Sequence, residues 1–209
     1  MRIEKLGVLV AALVLLGVGC SGSNAPTAQT DPKEELQVTF NEPVQEEKTS
    51  SMPSWEFPGV LAPEEIDNKR VRITTDKGEI VFDLFDDTAP KTVSNFVYLT
   101  KAGYFNGIVF HRREEGFVIQ GGDPKGNGTG GPGYEFEDEL NDKYTYERGI
   151  VAMANRGPNT NGSQFFVMLG NTPLPKAYSI FGRVVEGMDV VDKIKVGDVM
   201  KAVVVEDTK

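Results

Sequence analysis

Cysteine and histidine are almost absent from this chain. Of its 209 residues, one is cysteine, Cys20, and one is histidine, His111. With no cysteine after position 20, the bulk of the chain can build neither an internal disulfide nor a cysteine nucleophile. A lone histidine leaves carboxylates as the main metal donors, and the acidic run EFEDELND (Glu135–Asp142) lacks the spacing of a calcium loop. That run reads as a solvated acidic face, and no metal or other cofactor is expected. Basic clusters are missing too: 22 Lys and Arg against 31 Asp and Glu leave a net charge of -9, which argues against nucleic-acid binding. A nucleophile elbow is absent, because Ser163 lies in NGSQF rather than G-x-S-x-G. The glycine-rich GGDPKGNGTGGPGY (Gly121–Tyr134) lacks the closing Gly-Lys-Ser/Thr of a phosphate loop and reads as a shaped surface loop.

What is present is organised in three parts. Residues 1–20, MRIEKLGVLVAALVLLGVGC, place Arg2 and Lys5 before an apolar run and small residues, the layout of a secretory signal. The run is shorter than the ~20 residues a membrane-spanning helix needs. LLGVGCSGS resembles a bacterial lipoprotein signal, with Gly17 where that family prefers a branched aliphatic residue. The resemblance implies lipidation of Cys20 and an exported protein anchored to a bacterial membrane, facing away from the cytoplasm. An ordinary signal peptide with an incidental cysteine is the alternative. Residues 21–63 are rich in Ser, Thr, Pro, Gln and Glu and read as a flexible tether, with Leu36, Val38, Phe40 and Trp55 as isolated apolar exceptions.

Residues 64–209 carry the folded unit. RVRITTDKGEIVFDLFD alternates Val71 and Ile73, turns at Asp76-Lys77-Gly78, and alternates again through Ile80, Phe82 and Leu84, which predicts a β-hairpin. TAPKTVSNFVYLTKAGYF predicts a helix capped at Thr88 or its neighbour, with Pro90 in the first turn, Val93, Phe96 and Val97 on one face, and Gly103 closing it. Short apolar runs follow, GIVFHR, GFVIQGG, GIVAMAN, SQFFVML, YSIFGRVV and KAVVVED. GMDVVDKIKVGD reads as a second short helix with Val190, Val191 and Ile194 inward. Many short strands without βαβ units predict a mainly β fold, an antiparallel barrel or sandwich.

Three long segments, FHRREEGFVIQGGDPKGNGTGGPGYEFEDE, MANRGPNTNGSQFFV and LPKAYSIFGRVVEGMDVV, resemble the cyclophilins, peptidyl-prolyl cis-trans isomerases, in family order and nearly family spacing. The resemblance spans about Arg70 to Asp207. It implies a closed eight-stranded antiparallel β-barrel capped by two α-helices. It implies Arg112 as the catalytic residue and Phe117, Val118, Gln120, Ala154, Asn155, Gln164, Phe166, Leu174 and Tyr178 as the substrate-binding set. The substrates implied are proline-containing segments of folding proteins, handled by a monomer.

These residue types suit the reaction. Rotating an X-Pro amide crosses about 18 to 20 kcal/mol of lost resonance, and no covalent bond is made or broken. As the amide twists, its nitrogen gains a lone pair that a charged guanidinium can stabilise in the transition state. Apolar Phe117, Phe166 and Leu174 would hold the proline ring while Gln120 and the backbone of Asn155 hold neighbouring carbonyls. Three positions depart from the family. Val118 stands where methionine is common, Pro173 replaces the tryptophan of cyclosporin-sensitive members, and LPKAY replaces the usual Leu-Asp-Gly-Lys. A module that only holds proline-containing segments is the competing reading, and a small-solute receptor is disfavoured because the chain lacks two lobes. His111 reads as a structural residue, and no motif assigns Glu114 or Glu115.

Overall fold

The computed structural model describes residues 54–208. The secretory signal, Cys20 and residues 21–53 of the tether lie outside the described residues. The predicted hairpin consists of β1 (Lys69–Thr75) and β2 (Gly78–Leu84), paired from Arg70↔Asp83 to Thr75↔Gly78. Its turn is set by Thr75, whose Oγ1 accepts the Lys77 N–H at 3.0 Å and donates to the Gly78 carbonyl at 2.9 Å. Gly78 has φ +129°, a region that L side chains rarely adopt.

Six more strands follow: β3 (Arg112–Glu114), β4 (Val118–Gly121), β5 (Ile150–Met153), β6 (Phe165–Met168), β7 (Ile180–Glu186) and β8 (Ala202–Asp207). All pair antiparallel in the order β3-β4-β6-β5-β7-β2-β1-β8, forming a curled half-barrel. A closed barrel is not shown, because β3 and β8 end the order without pairing. The chain leading into each meets instead at a Val109–Val199 bridge, flanked by Phe110 N–H to Asp198 O and Met200 N–H to Ile108 O, both 2.9 Å. GIVFHR therefore contributes a bridge and only the first residue of β3. Inside the curl, Phe82, Phe96, Phe105, Phe110, Phe165 and Phe181 are fully buried. Each contributes roughly 1.5 to 3 kcal/mol of burial.

The first long helix, α2 (Pro90–Lys101), buries Val93, Phe96, Val97 and Leu99. Its N-cap is Ala89, which has no side-chain oxygen. The cap comes from Glu139, whose carboxylate accepts the Lys91 and Thr92 N–H groups at 2.9 and 2.8 Å and the Thr92 hydroxyl at 2.8 Å. An anion at a helix N-terminus also complements its dipole. The C-terminus closes through Gly103, φ +74°, with Tyr104 N–H to Leu99 O at 3.0 Å and Gly103 N–H to Thr100 O at 2.9 Å. The second expected helix is one turn, α3 (Met188–Val191), with Val190, Val191 and Ile194 buried. A further short helix, α1 (Pro63–Ile66), precedes the hairpin.

Two expectations change. The acidic run is a solvated face only in part: Glu135, Glu137 and Asp142 are exposed, whereas Asp138 and Glu139 are half-buried. Glu135 pairs with Arg156 and Glu137 with Lys91, Asp138 accepts from Asn159 and Asn161, Glu139 caps α2, and Asp142 pairs with Lys176. The packed region also begins upstream of Glu64. Trp55 sets its ring edge-on to Tyr98 and Tyr104, with centroids 6.1 and 5.4 Å apart, and Phe57 stacks on Phe136 at 4.9 Å. Leu61 donates its N–H to Ser94 Oγ at 2.9 Å. Residues 54–62 thus form a strap, because Trp55 and Phe57 find aromatic partners and Leu61 packs against the core and ties its backbone to α2.

The loop after β4 is wound around Asp123, which is 1% exposed. Its carboxylate accepts the N–H groups of Lys125 at 2.7 Å, Asn127 at 3.0 Å and Gly128 at 2.5 Å. Burial pushes its pKa up, but these amides and that of Gly130 outweigh burial and hold it below the ordinary 3.8. Gly130 is required here, since a Cβ would lie 1.9 Å from Asp123 Oδ1.

Two outcomes are expected. A chain starting at Glu64 should lose about 3 kcal/mol against one starting at Ser54, the scale of three half-buried apolar side chains, in urea unfolding. Asp123→Asn should cost about 2 kcal/mol at pH 7, the scale of charge-assisted hydrogen bonds. Because the folded pKa is depressed, this stabilisation is present above about pH 4 and is lost as the pH falls through the folded value. The gap between wild type and Asp123→Asn should therefore narrow in unfolding curves taken near pH 3.

Candidate active site

In an antiparallel sheet, register partners place their side chains side by side on one face. Arg112 on β3 faces Gln120 on β4, Gln120 faces Phe166 on β6, Phe166 faces Ala152 on β5, and Ala152 faces Ile180 on β7. Five residues from five strands therefore form one row on the outer face. The next row inward in sequence, Arg113, Ile119, Val167 and Val151, lies on the opposite face, and its apolar members belong to the main core.

The outer face carries its own apolar cluster. Val118, Ile150, Ala152, Phe166, Met168 and Ile180 form its buried floor, and Phe117, Ala154, Leu174 and Tyr178 pack against it. Phe166 meets the Tyr178 ring edge-on, centroids 5.5 Å apart. The loop bearing Leu174 and Tyr178 is fastened by Tyr146, whose hydroxyl donates to Tyr178 O at 2.9 Å and accepts Tyr178 N–H at 3.1 Å. Asn155 adds a second tie, its Nδ2 donating to Ala177 O at 2.7 Å.

A polar chain borders this floor. Arg112 Nη1 donates to Gln120 Oε1 at 3.0 Å, and Gln120 Nε2 donates to Gln164 Oε1 at 2.9 Å. Gln164 Nε2 ends the chain on the carbonyls of Gly128 and Gly130, at 3.0 and 2.8 Å. The glycine-rich loop wound on Asp123 is thus coupled to Arg112 through two amide side chains. Arg112 lies with its Cζ 5.9 Å from the Phe117 ring centroid, and its side chain is 43% exposed. A cavity of about 630 Å³ opens beside the chain, bounded by Gln120, Ala154, Asn155, Gln164, Lys125 and Arg156. A second, about 460 Å³, is lined by Tyr144 and Tyr146 and shares Leu174 and Tyr178 with the floor.

The ten residues marked from the sequence thus fall in overlapping sets on one face: an apolar floor, a hydrogen-bonded chain and the rim of a polar cavity. His111 is outside all three. Its ring is half-buried, neither ring nitrogen has a hydrogen-bond partner among the described residues, and burial lowers its pKa, against the pull of Asp123. Sequence reasoning missed Tyr146 and Arg156, whose positions depend on long-range packing, and Lys125, which the local turn on Asp123 places. It also missed Glu114, which accepts from Arg112; two residues apart on a strand, the pair shares a face, a signal present in the alternation of RREE.

Comparison with known proteins follows the same outline. The cyclophilin type peptidyl-prolyl cis-trans isomerase family profile matches residues 70–209. Peptidyl-prolyl cis-trans isomerase-like 3 of Gallus gallus is 46% identical over 130 residues, covering 60% of this chain and 81% of the relative. A peptidyl-prolyl cis-trans isomerase of Helicobacter pylori is 46% identical over 136 residues, covering 63% and 83%. The crystal structure of a Cryptosporidium parvum cyclophilin type isomerase superposes with TM-score 0.64 at 37% identity, over 68% of this chain and 99% of that one. The structure determined in the presence of the dipeptide Ala-Pro gives TM-score 0.62 at the same identity, over 66% and 99%. With the family profile spanning well over half of the sequence, the chain belongs to the cyclophilin-type peptidyl-prolyl cis-trans isomerase family.

Proposed function

We propose that this isomerase accelerates rotation of X-Pro bonds in exported proteins and so assists their folding, with Arg112 donating to the prolyl nitrogen as the amide twists. The observation that supports this most is the outer row, which sets a guanidinium at the edge of an apolar floor made by Phe166, Ala152 and their neighbours. A proline ring fits such a floor, and the neighbouring donor meets the nitrogen lone pair only when resonance is lost, which is the condition for lowering the barrier rather than merely binding. The Cryptosporidium parvum relative was crystallised in the presence of Ala-Pro, in keeping with a site that takes a prolyl dipeptide unit.

In this reading Phe117, Val118, Phe166, Leu174 and Tyr178 grip the ring, and Gln120, Gln164, Ala154 and the backbone of Asn155 hold the flanking peptide. Holding one side of the bond while the other turns converts binding into rotation. The protein works as a monomer, tethered to a bacterial membrane through lipid on Cys20 and facing away from the cytoplasm. Several acyl chains would make the anchor stable, since a single chain binds only marginally.

Arg112→Ala should lower kcat on a proline-containing peptide about 100-fold, the cost typical of one preorganised transition-state donor, with an unchanged melting temperature. A rate equal to wild type would remove Arg112 from the mechanism. Lipidation is checked by labelling cells with a radioactive fatty acid: the wild-type chain should carry label and Cys20→Ser should not.

A further inference from the structure

RREE, residues 112 to 115, resolves into two ion pairs on opposite faces of β3. Arg113 points inward, where its Nη1 donates to the carbonyls of Val191 and Ile194 at 3.4 and 3.0 Å, and its Nη2 reaches Glu115 at 2.8 Å. Arg112 and Glu114 share the outer face. Glu114 Oε1 accepts from Arg112 Nε at 3.1 Å and from Nη2 at 2.6 Å. Gln120 takes Nη1, and the Phe117 ring lies against Cζ. Of the five guanidinium N–H groups, one on each terminal nitrogen is left for a substrate.

The two holds differ in what they constrain. Gln120 is itself fixed by Gln164, so it anchors one point, and about a single anchor a long, half-exposed side chain can still swing. Glu114 uses one oxygen, Oε1, to take both Nε and Nη2 along one edge of the guanidinium, and with Gln120 on Nη1 this gives the group a second point of hold that limits its swing. We propose that Glu114 is a positioning residue for isomerisation, acting only through Arg112 by presetting the guanidinium over the proline site. This inference rests on the reading of Arg112 as the transition-state donor.

The test uses the full-length protein with Glu114→Ala, Glu114→Gln, Arg112→Ala and the Arg112→Ala/Glu114→Ala double variant, assayed for kcat and KM on a neutral proline-containing peptide. Exposed ion pairs are weak, so Glu114→Ala should lower kcat about threefold to fivefold and leave KM within about twofold. Glu114→Gln retains an oxygen that can accept the same N–H groups and should recover most of the loss. Raising salt should slow wild type toward Glu114→Ala and leave that variant unmoved. The double variant should match Arg112→Ala alone. An unchanged or raised kcat in Glu114→Ala, beside an impaired Arg112→Ala, overturns this inference alone. So does an effect confined to KM, or one that persists in the Arg112→Ala background. An unimpaired Arg112→Ala overturns the underlying assignment as well.

Discussion

Side-chain alternation across a sheet buried on both faces is the constraint on which this molecule depends. Each residue of β5 and β6 is buried, although only every second one points into the main core. Phe165 and Val167 fill the curl, while Phe166 and Met168 emerge on the other face and build a second apolar layer. A strand turned both ways in this manner carries no polar face, so two separate apolar layers draw on adjacent residues of the same segment. A one-residue slip in β6 would exchange pocket for core.

Around this floor, polar order is supplied from a distance. Asp123 winds the glycine-rich loop on backbone amides, and Gln164 and Gln120 relay that order to Arg112. Glu139 ends α2 on one side and takes its own N–H bond to Ser179 Oγ, 2.8 Å away, on the other. Ser179 stands beside Tyr178 and just before β7, so helix cap and pocket wall meet in one short stretch. Charges that look like solvent-facing decoration along the sequence serve mostly as such local fastenings. The apolar floor itself carries no charge; Arg112 stands at its edge, and Lys125 and Arg156 border the neighbouring cavity.

Much of this was legible in the sequence. Alternation of Val71, Ile73, Ile80, Phe82 and Leu84 is a local property, and the hairpin followed it. The face of α2 and the role of Gly103 were local in the same sense. The family became legible through three long segments matching it in order, because single residues such as Phe117 or Arg112 carry no such meaning alone. His111 is of the residue type most tied to proton transfer, yet its side chain stands outside the floor, the hydrogen-bonded chain and the cavity, with no hydrogen-bond partner among the described residues. The cap on α2, the strap through Trp55 and Phe57, and the partners of the acidic run were not legible. Each joins residues far apart in sequence, and no periodicity records them.

By itself, the sequence determined which residues could alternate, turn and cap, and which chemistries lacked their reagents: no cysteine beyond position 20, one histidine and no basic cluster. Those shortages follow from composition and hold in any fold. Only the tertiary structure decided that Arg112, Gln120, Phe166, Ala152 and Ile180 stand in one row, since strand order β3-β4-β6-β5-β7 is not chain order. It also separated the two arginines of RREE, sending Arg113 to the end of α3 and leaving Arg112 between Glu114 and Gln120. The physical reason is the pleat, which gives neighbouring residues opposite faces, while hydrogen-bonded register decides what each face meets.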